Sequence, residues 1–175
     1  MKINLVTTIS ASVLAASMLA MLAPITATAN DDEKTATAND DEKNSNRHTR
    51  LVGTWDVQVT TRDCQTNAAL RTFPSILTYN TGGTMLESTA GIPQAAKTPG
   101  QGVWSHIRDK TYHIKFKSFR FDASGNLAGT TIISQVVNVT DRGHESESAG
   151  TVELYAPNGS LVFAGCSTST ATRFE

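Results

Sequence analysis

Cysteine is nearly missing from the chain, which carries it only at Cys64 and Cys166 among 175 residues. None lies beside the N-terminal apolar run, so a bacterial lipid anchor is not indicated, and no cysteine–histidine arrangement supplies a catalytic thiol. Excess charge is missing too: from Leu51 onward ten basic residues (Arg62 to Arg173) are matched by ten acidic ones (Asp56 to Glu175). Without a basic stripe there is no footprint for nucleic acid and no attraction to an anionic membrane. A serine-nucleophile motif and a glycine-rich phosphate loop are lacking as well, so no catalytic residue and no cofactor is expected from motif. After residue 50, no window repeats apolar residues at helical spacing over three turns, which excludes any substantial helix.

What is present begins with a secretory signal over residues 1–29. Lys2 supplies the positive start, Ile9 through Leu22 the apolar run and Ala27-Thr28-Ala29 a cleavage site. The run is too short to hold the processed protein in a bilayer, so a secreted or periplasmic protein without stable membrane insertion is expected. Thr26 to Lys34 reads TATANDDEK, and Thr35 to Lys43 repeats it letter for letter. The repeat creates a second processing site at Ala36-Thr37-Ala38. Acidic and without large apolar side chains, residues 30–50 cannot bury enough surface to order themselves and read as a solvated linker. A calcium site in the Asn-Asp-Asp-Glu runs is the weaker reading, because such sites need a loop that fixes the oxygens.

Residues 51–175 are long enough for one core and too short for two. Thr, Val, Ile, Phe and Tyr recur there in eight short runs, at about 52–63, 70–79, 83–90, 102–108, 111–121, 127–140, 144–156 and 160–174. Turn chemistry separates them, as in Asn80-Thr81-Gly82-Gly83, Asp109-Lys110 and Pro157-Asn158-Gly159. Short turns make successive runs antiparallel neighbours, and the simplest topology is an up-and-down meander. Trp55, Val57 and Val59 share one face of the first run. In the fifth, Tyr112, Ile114 and Phe116 keep one phase while Phe119 and Phe121 take the other, which predicts a bulge near Lys117-Ser118.

Closure into a barrel needs its own support. In an oxidising compartment a lone cysteine pair is expected to bridge, and a Cys64–Cys166 disulfide ties the first run to the last. Gly53-Thr54-Trp55 at the start of the first run resembles the Gly-x-Trp signature that opens lipocalins and the related fatty-acid-binding proteins, a calycin-type barrel. In those families an Arg from the last strand packs over that Trp at the closed end, and Arg173 is similarly placed. Antiparallel partners keep a constant sum of residue numbers, and Cys64 with Cys166 gives 230 where Trp55 with Arg173 gives 228. Two independent pairs thus agree on one register within two residues. The expected fold is all-β, an eight-stranded antiparallel up-and-down barrel with one disulfide. The chain also resembles a group of uncharacterised bacterial exported proteins in its Gly82 to Met85, Ala90 to Pro93 and Gly102 to Trp104 segments.

In such a meander the segments after the first, third, fifth and seventh runs share one end. The two longest, about 64–69 and 91–101, fall there, so a cavity should open beside 91–101. Its expected lining is Val57, Val59, Phe73, Leu77, Met85, Tyr112, Ile114 and Phe116, with Ile133 and Val137 as further candidates, and it suits a small hydrophobic ligand. The two-residue turn at Asp109-Lys110 sets His106 opposite His113, on the face away from Ile107, Tyr112 and Ile114. Two imidazoles fall short of a zinc site, and no metal is expected. The leading expectation is a carrier of a small hydrophobic molecule. The alternatives are an isomerase or cyclase resembling allene oxide cyclase, with Glu87, Tyr112 and Glu145 as its candidate acids, and a non-catalytic envelope protein with a filled barrel. Oligomeric state has no signature in the sequence.

Overall fold

The computed structural model describes residues 49–175. The expected signal sequence, and all but the last two residues of the expected linker, lie outside the described residues. Eight strands follow in order: β1 Gly53–Arg62, β2 Ala69–Tyr79, β3 Thr84–Thr89, β4 Gly100–Arg108, β5 Thr111–Phe121, β6 Leu127–Val139, β7 Glu145–Tyr155 and β8 Leu161–Arg173. Each pairs antiparallel with the next, and β8 returns to β1, so the sheet closes into a barrel without free edges. A single 3₁₀ turn, Gln94–Ala96, interrupts the segment between β3 and β4. No helix among the described residues is long and apolar enough to cross a membrane.

Turn chemistry makes the meander. The Asp122 carboxylate accepts the backbone N–H groups of Ser124 and Asn126 at 2.8 and 2.9 Å, which holds the 122–126 turn between β5 and β6. The N–H bonds from Asn126, above all, keep that carboxyl below its usual pKa. Asp63 closes the turn after β1 in the same way through Gln65 and Thr66. Alternation then sorts the strands into faces. On β5, Tyr112, Ile114, Phe116 and Ser118 are buried while Lys115, Lys117 and Phe119 point out.

That continuous alternation corrects the bulge expected at Lys117-Ser118. Ser118 is a polar residue on the inner face, so the inward phase continues through it. Phe119 stays outside, 47% exposed, with the Lys117 ammonium 5.5 Å over its ring. The irregularity lies further on, at Arg120/Phe121 opposite Gly129 and Leu127. The expected facing of His106 and His113 is also overturned. Arg108 pairs with Thr111, but His106 pairs with Tyr112, because Ile107 is an extra residue bulged to the outside. His106 therefore stacks edge-on against Tyr112 at 5.2 Å, and His113 lies opposite Ser105, bonded to the Ser134 hydroxyl.

The seam between β1 and β8 sets Trp55 opposite Arg173 and Arg62 opposite Cys166. The Cys64–Cys166 disulfide joins the two sides just beyond that ladder, with Cα atoms 5.2 Å apart. At the other end of the seam Trp55 is buried, and its indole N–H donates to Leu51 O at 2.9 Å. The Arg173 guanidinium lies 4.5 Å over the indole and donates to Val52 O and Arg50 O, each at 2.7 Å. Gly53 has φ of +128°, and a Cβ there would sit 2.5 Å from Arg173 Nη1, so this glycine makes room for the plug. Leu51, Tyr79, Met85, Tyr112, Ile114 and Val139 pack with the plug and fill this end of the barrel.

The plug has a consequence at high pH. Burial raises the phenols of Tyr79 and Tyr112 above 10.0, and the hydrogen bond that Tyr155 donates to Glu153 raises the third tyrosine. The folded state thus favours neutral phenols that the unfolded chain ionises near pH 10. The stabilisation is complete below about that pH and is lost progressively as pH rises from it through the raised folded-state values. In an ultraviolet absorbance titration, Tyr79 and Tyr112 are expected to ionise only together with loss of the β circular dichroism signal. Ordinary titration of all three tyrosines in a folded protein would contradict this.

Candidate functional site

Above the plug the barrel is not filled. A cavity of about 330 Å³ lies between the strands and opens at the end that carries the 63–68 and 90–99 segments. That volume is at the lower end of the ~300–1,000 Å³ of small-molecule sites. Val57, Val59, Phe73, Leu77 and Phe116 line it, joined by Ile133, Val152, Leu154 and Phe163. Met85, Tyr112, Ile114 and Val137 face inward but belong to the packed layer beneath. Their depth decides this, because Leu51 and the Trp55 plug close the end where they sit.

The segment between β3 and β4 forms one wall of the opening. Gly91 packs on the Phe73 ring so closely that a Cβ would lie 2.5 Å from it, which seats the segment against β2. Ile92 contributes to the lining, and Lys97 turns back inside. Its ammonium donates to Glu87 Oε2 at 2.6 Å and to Thr98 O at 3.1 Å, and Gly100 N–H donates to the same carboxylate oxygen at 3.1 Å. Both side chains are more than nine-tenths buried, so this is a desolvated ion pair with no net charge. Of the three acids considered for catalysis, only Glu87 reaches the cavity. Tyr112 meets the backbone of Leu51 in the sealed layer, and Glu145 is exposed on the outer face of β7.

The wall opposite the ion pair, on β6 to β8, is polar but uncharged. Gln135 Nε2 donates to Ser167 Oγ at 2.9 Å, Ser148 Oγ donates to Gln135 Oε1 at 3.0 Å, and Ser148 and Ser169 hydroxyls meet at 2.6 Å. All four residues are buried, and Gln135, Ser167 and Ser169 line the cavity. Sequence reasoning missed this group, although Gln135 shares the phase of Ile133 and Val137 and the two serines share that of Arg173. It also missed Lys97, which lies outside any alternating run.

A second hollow, about 560 Å³, lies on the outer face of β1, β7 and β8 and is lined by Gln58, Thr60, Glu147, Thr168 and Thr170 among others. Though larger, it is polar and sits outside the barrel, so it gives an apolar ligand no enclosure. Among the described residues no group of three or more His, Cys, Asp and Glu side chains is placed to hold a metal ion. No family model, no curated protein and no solved structure matches the chain.

Proposed function

We propose that the protein is an exported, lipocalin-like carrier of a small hydrophobic ligand, and that the ligand occupies the cavity between Val57, Phe73, Phe116 and Val152. The observation that carries this reading is the cavity itself, an apolar volume of about 330 Å³ open at one end of an otherwise sealed barrel. The polarity of the walls supports it: apolar side chains face inward, while charged ones such as Lys115, Lys117 and Glu147 face outward, the reverse of a water-filled membrane barrel. The formed disulfide fits an oxidising compartment, and with the Ile9 to Leu22 run it supports export. A filled barrel would leave no such volume. The isomerase alternative keeps only Glu87 on the cavity wall, and there the carboxylate is engaged with Lys97.

Native mass spectrometry of the protein purified from its own host is expected to show a bound small molecule that organic extraction removes. The stripped protein should then bind the neutral dye N-phenyl-1-naphthylamine. Val152→Trp, which fills the cavity from β7, should weaken dye binding by about tenfold or more, the factor that ~1.4 kcal/mol of lost fit produces. A protein that carries nothing and takes up no dye would end the carrier reading.

A further inference from the structure

The hydroxyls and amide on the β6–β8 wall form a chain with a direction. Each serine hydroxyl has one proton to give, and the Gln135 amide has donors only on nitrogen and acceptors only on oxygen. Ser148 gives its proton to Gln135 Oε1. The 2.6 Å contact between Ser148 and Ser169 must then be donated by Ser169. Gln135 Nε2 gives one proton to Ser167 Oγ. The relay therefore runs Ser169 to Ser148 to Gln135 to Ser167, and it ends on a Ser167 hydroxyl proton with no acceptor among the described residues. Turning the amide over reverses the relay and leaves the spare proton on Ser169 instead. Both serines line the cavity, so in either orientation one hydroxyl donor and the second amide N–H are left to it.

A buried donor without an acceptor is unfavourable, and a ligand oxygen is the group that removes the penalty. Of the two cations that line the cavity, Arg71 stands exposed at its mouth, with the guanidinium 5.3 Å over the Phe73 ring. Lys97, the cation inside, is matched by Glu87 on the opposite wall at 2.6 Å. A carboxylate placed against Gln135 and Ser167 would be desolvated with no buried cation free to pair with it. Resting on the carrier reading, we infer that the ligand is a neutral, mainly apolar molecule with a carbonyl-type oxygen, which the Ser169–Ser148–Gln135–Ser167 relay binds.

The test uses the stripped wild-type protein, displacement of N-phenyl-1-naphthylamine and three probes of one chain length: 2-decanone, decane and decanoate, the last near pH 8 where it is ionised. The ketone should bind about fivefold more tightly than decane, the worth of one net hydrogen bond. Decanoate should bind more weakly than either. The Ser167→Ala, Ser169→Ala double variant, which removes the end hydroxyl whichever way the amide is turned, should cost the ketone most of its advantage and leave decane unchanged. Equal binding of ketone and decane, or decanoate binding as tightly as the ketone, overturns the inference while the carrier reading stands. If none of the three displaces the dye and no probe enters the barrel, the carrier reading falls and takes this inference with it. The comparison among probes needs only wild-type protein, so a double variant that fails to fold does not prevent the decision.

Discussion

Opening the Cys64–Cys166 bond is expected to lower the melting temperature of the barrel by roughly 10–20 °C while leaving its β circular dichroism at low temperature unchanged. The two cysteines are 102 residues apart. In the chain-entropy model a closed loop of that length is worth about 4–5 kcal/mol, through the freedom it removes from the unfolded chain. In a domain of this size each kcal/mol moves the midpoint by a few degrees. The ladder itself does not need the bond, since β1 and β8 remain paired from Trp55–Arg173 to Arg62–Cys166. The seam is held at its sealed end by the Arg173 plug and at its open end by the disulfide. Without the disulfide it should therefore loosen from the cavity side. Differential scanning calorimetry of the oxidised protein against a Cys64→Ala, Cys166→Ala variant checks this, and coincident melting curves would refute it.

The same seam shows why the architecture was legible in the sequence. Strand positions follow from alternation and turn chemistry, which are local, and the eight strands fall within a few residues of the eight apolar runs. Closure is not local, but two pairs at opposite ends of the chain carried it. The structure takes the register of the Trp55–Arg173 pair, and Cys64 sits just past the ladder, which accounts for the two-residue difference. What went wrong went wrong through parity. Reading Phe119 and Phe121 as a change of phase required a bulge that Ser118, continuing the inward face, makes unnecessary. One extra residue at Ile107 flips every position before it, so the imidazoles of His106 and His113 lie on different faces although the Asp109-Lys110 turn is where it was expected.

The site was legible in part. Alternation separates inside from outside but not deep from shallow, so Met85, Tyr112 and Ile114 shared a phase with true lining residues and could not be told apart from them. Their depth is set by Leu51, which folds back under the barrel to receive the Trp55 indole N–H, a contact between an irregular segment and a strand that no periodicity encodes. The serine and glutamine wall is a different failure. Its inward parity was available from Arg173 and from Ile133 with Val137, and the preference for apolar residues at inward positions hid it. Lys97 had no such signal, since a lysine between two prolines reads as an exposed loop residue until the partner carboxylate is located.

Lys97 carries the other large effect. Lys97→Met should destabilise the protein by about 3–5 kcal/mol, the usual cost of removing one partner from a buried ion pair. The Glu87 carboxylate would remain more than nine-tenths buried with only the Gly100 N–H for company. The 90–99 segment would also lose the contact that ties it to β3. Adding Glu87→Gln to that variant should recover most of the loss, because a neutral amide can still accept from Gly100 and leaves no charge to desolvate. Urea unfolding of wild type, both single variants and the double variant gives the full cycle, with coupling between the two sites well above that of an exposed pair, ~0.2–1 kcal/mol. A Lys97→Met variant within about 0.5 kcal/mol of wild type, as for an ordinary surface change, would mean that water reaches Glu87 through the opening. In that event the two walls of the cavity would no longer differ as a neutralised charge pair and a neutral donor relay.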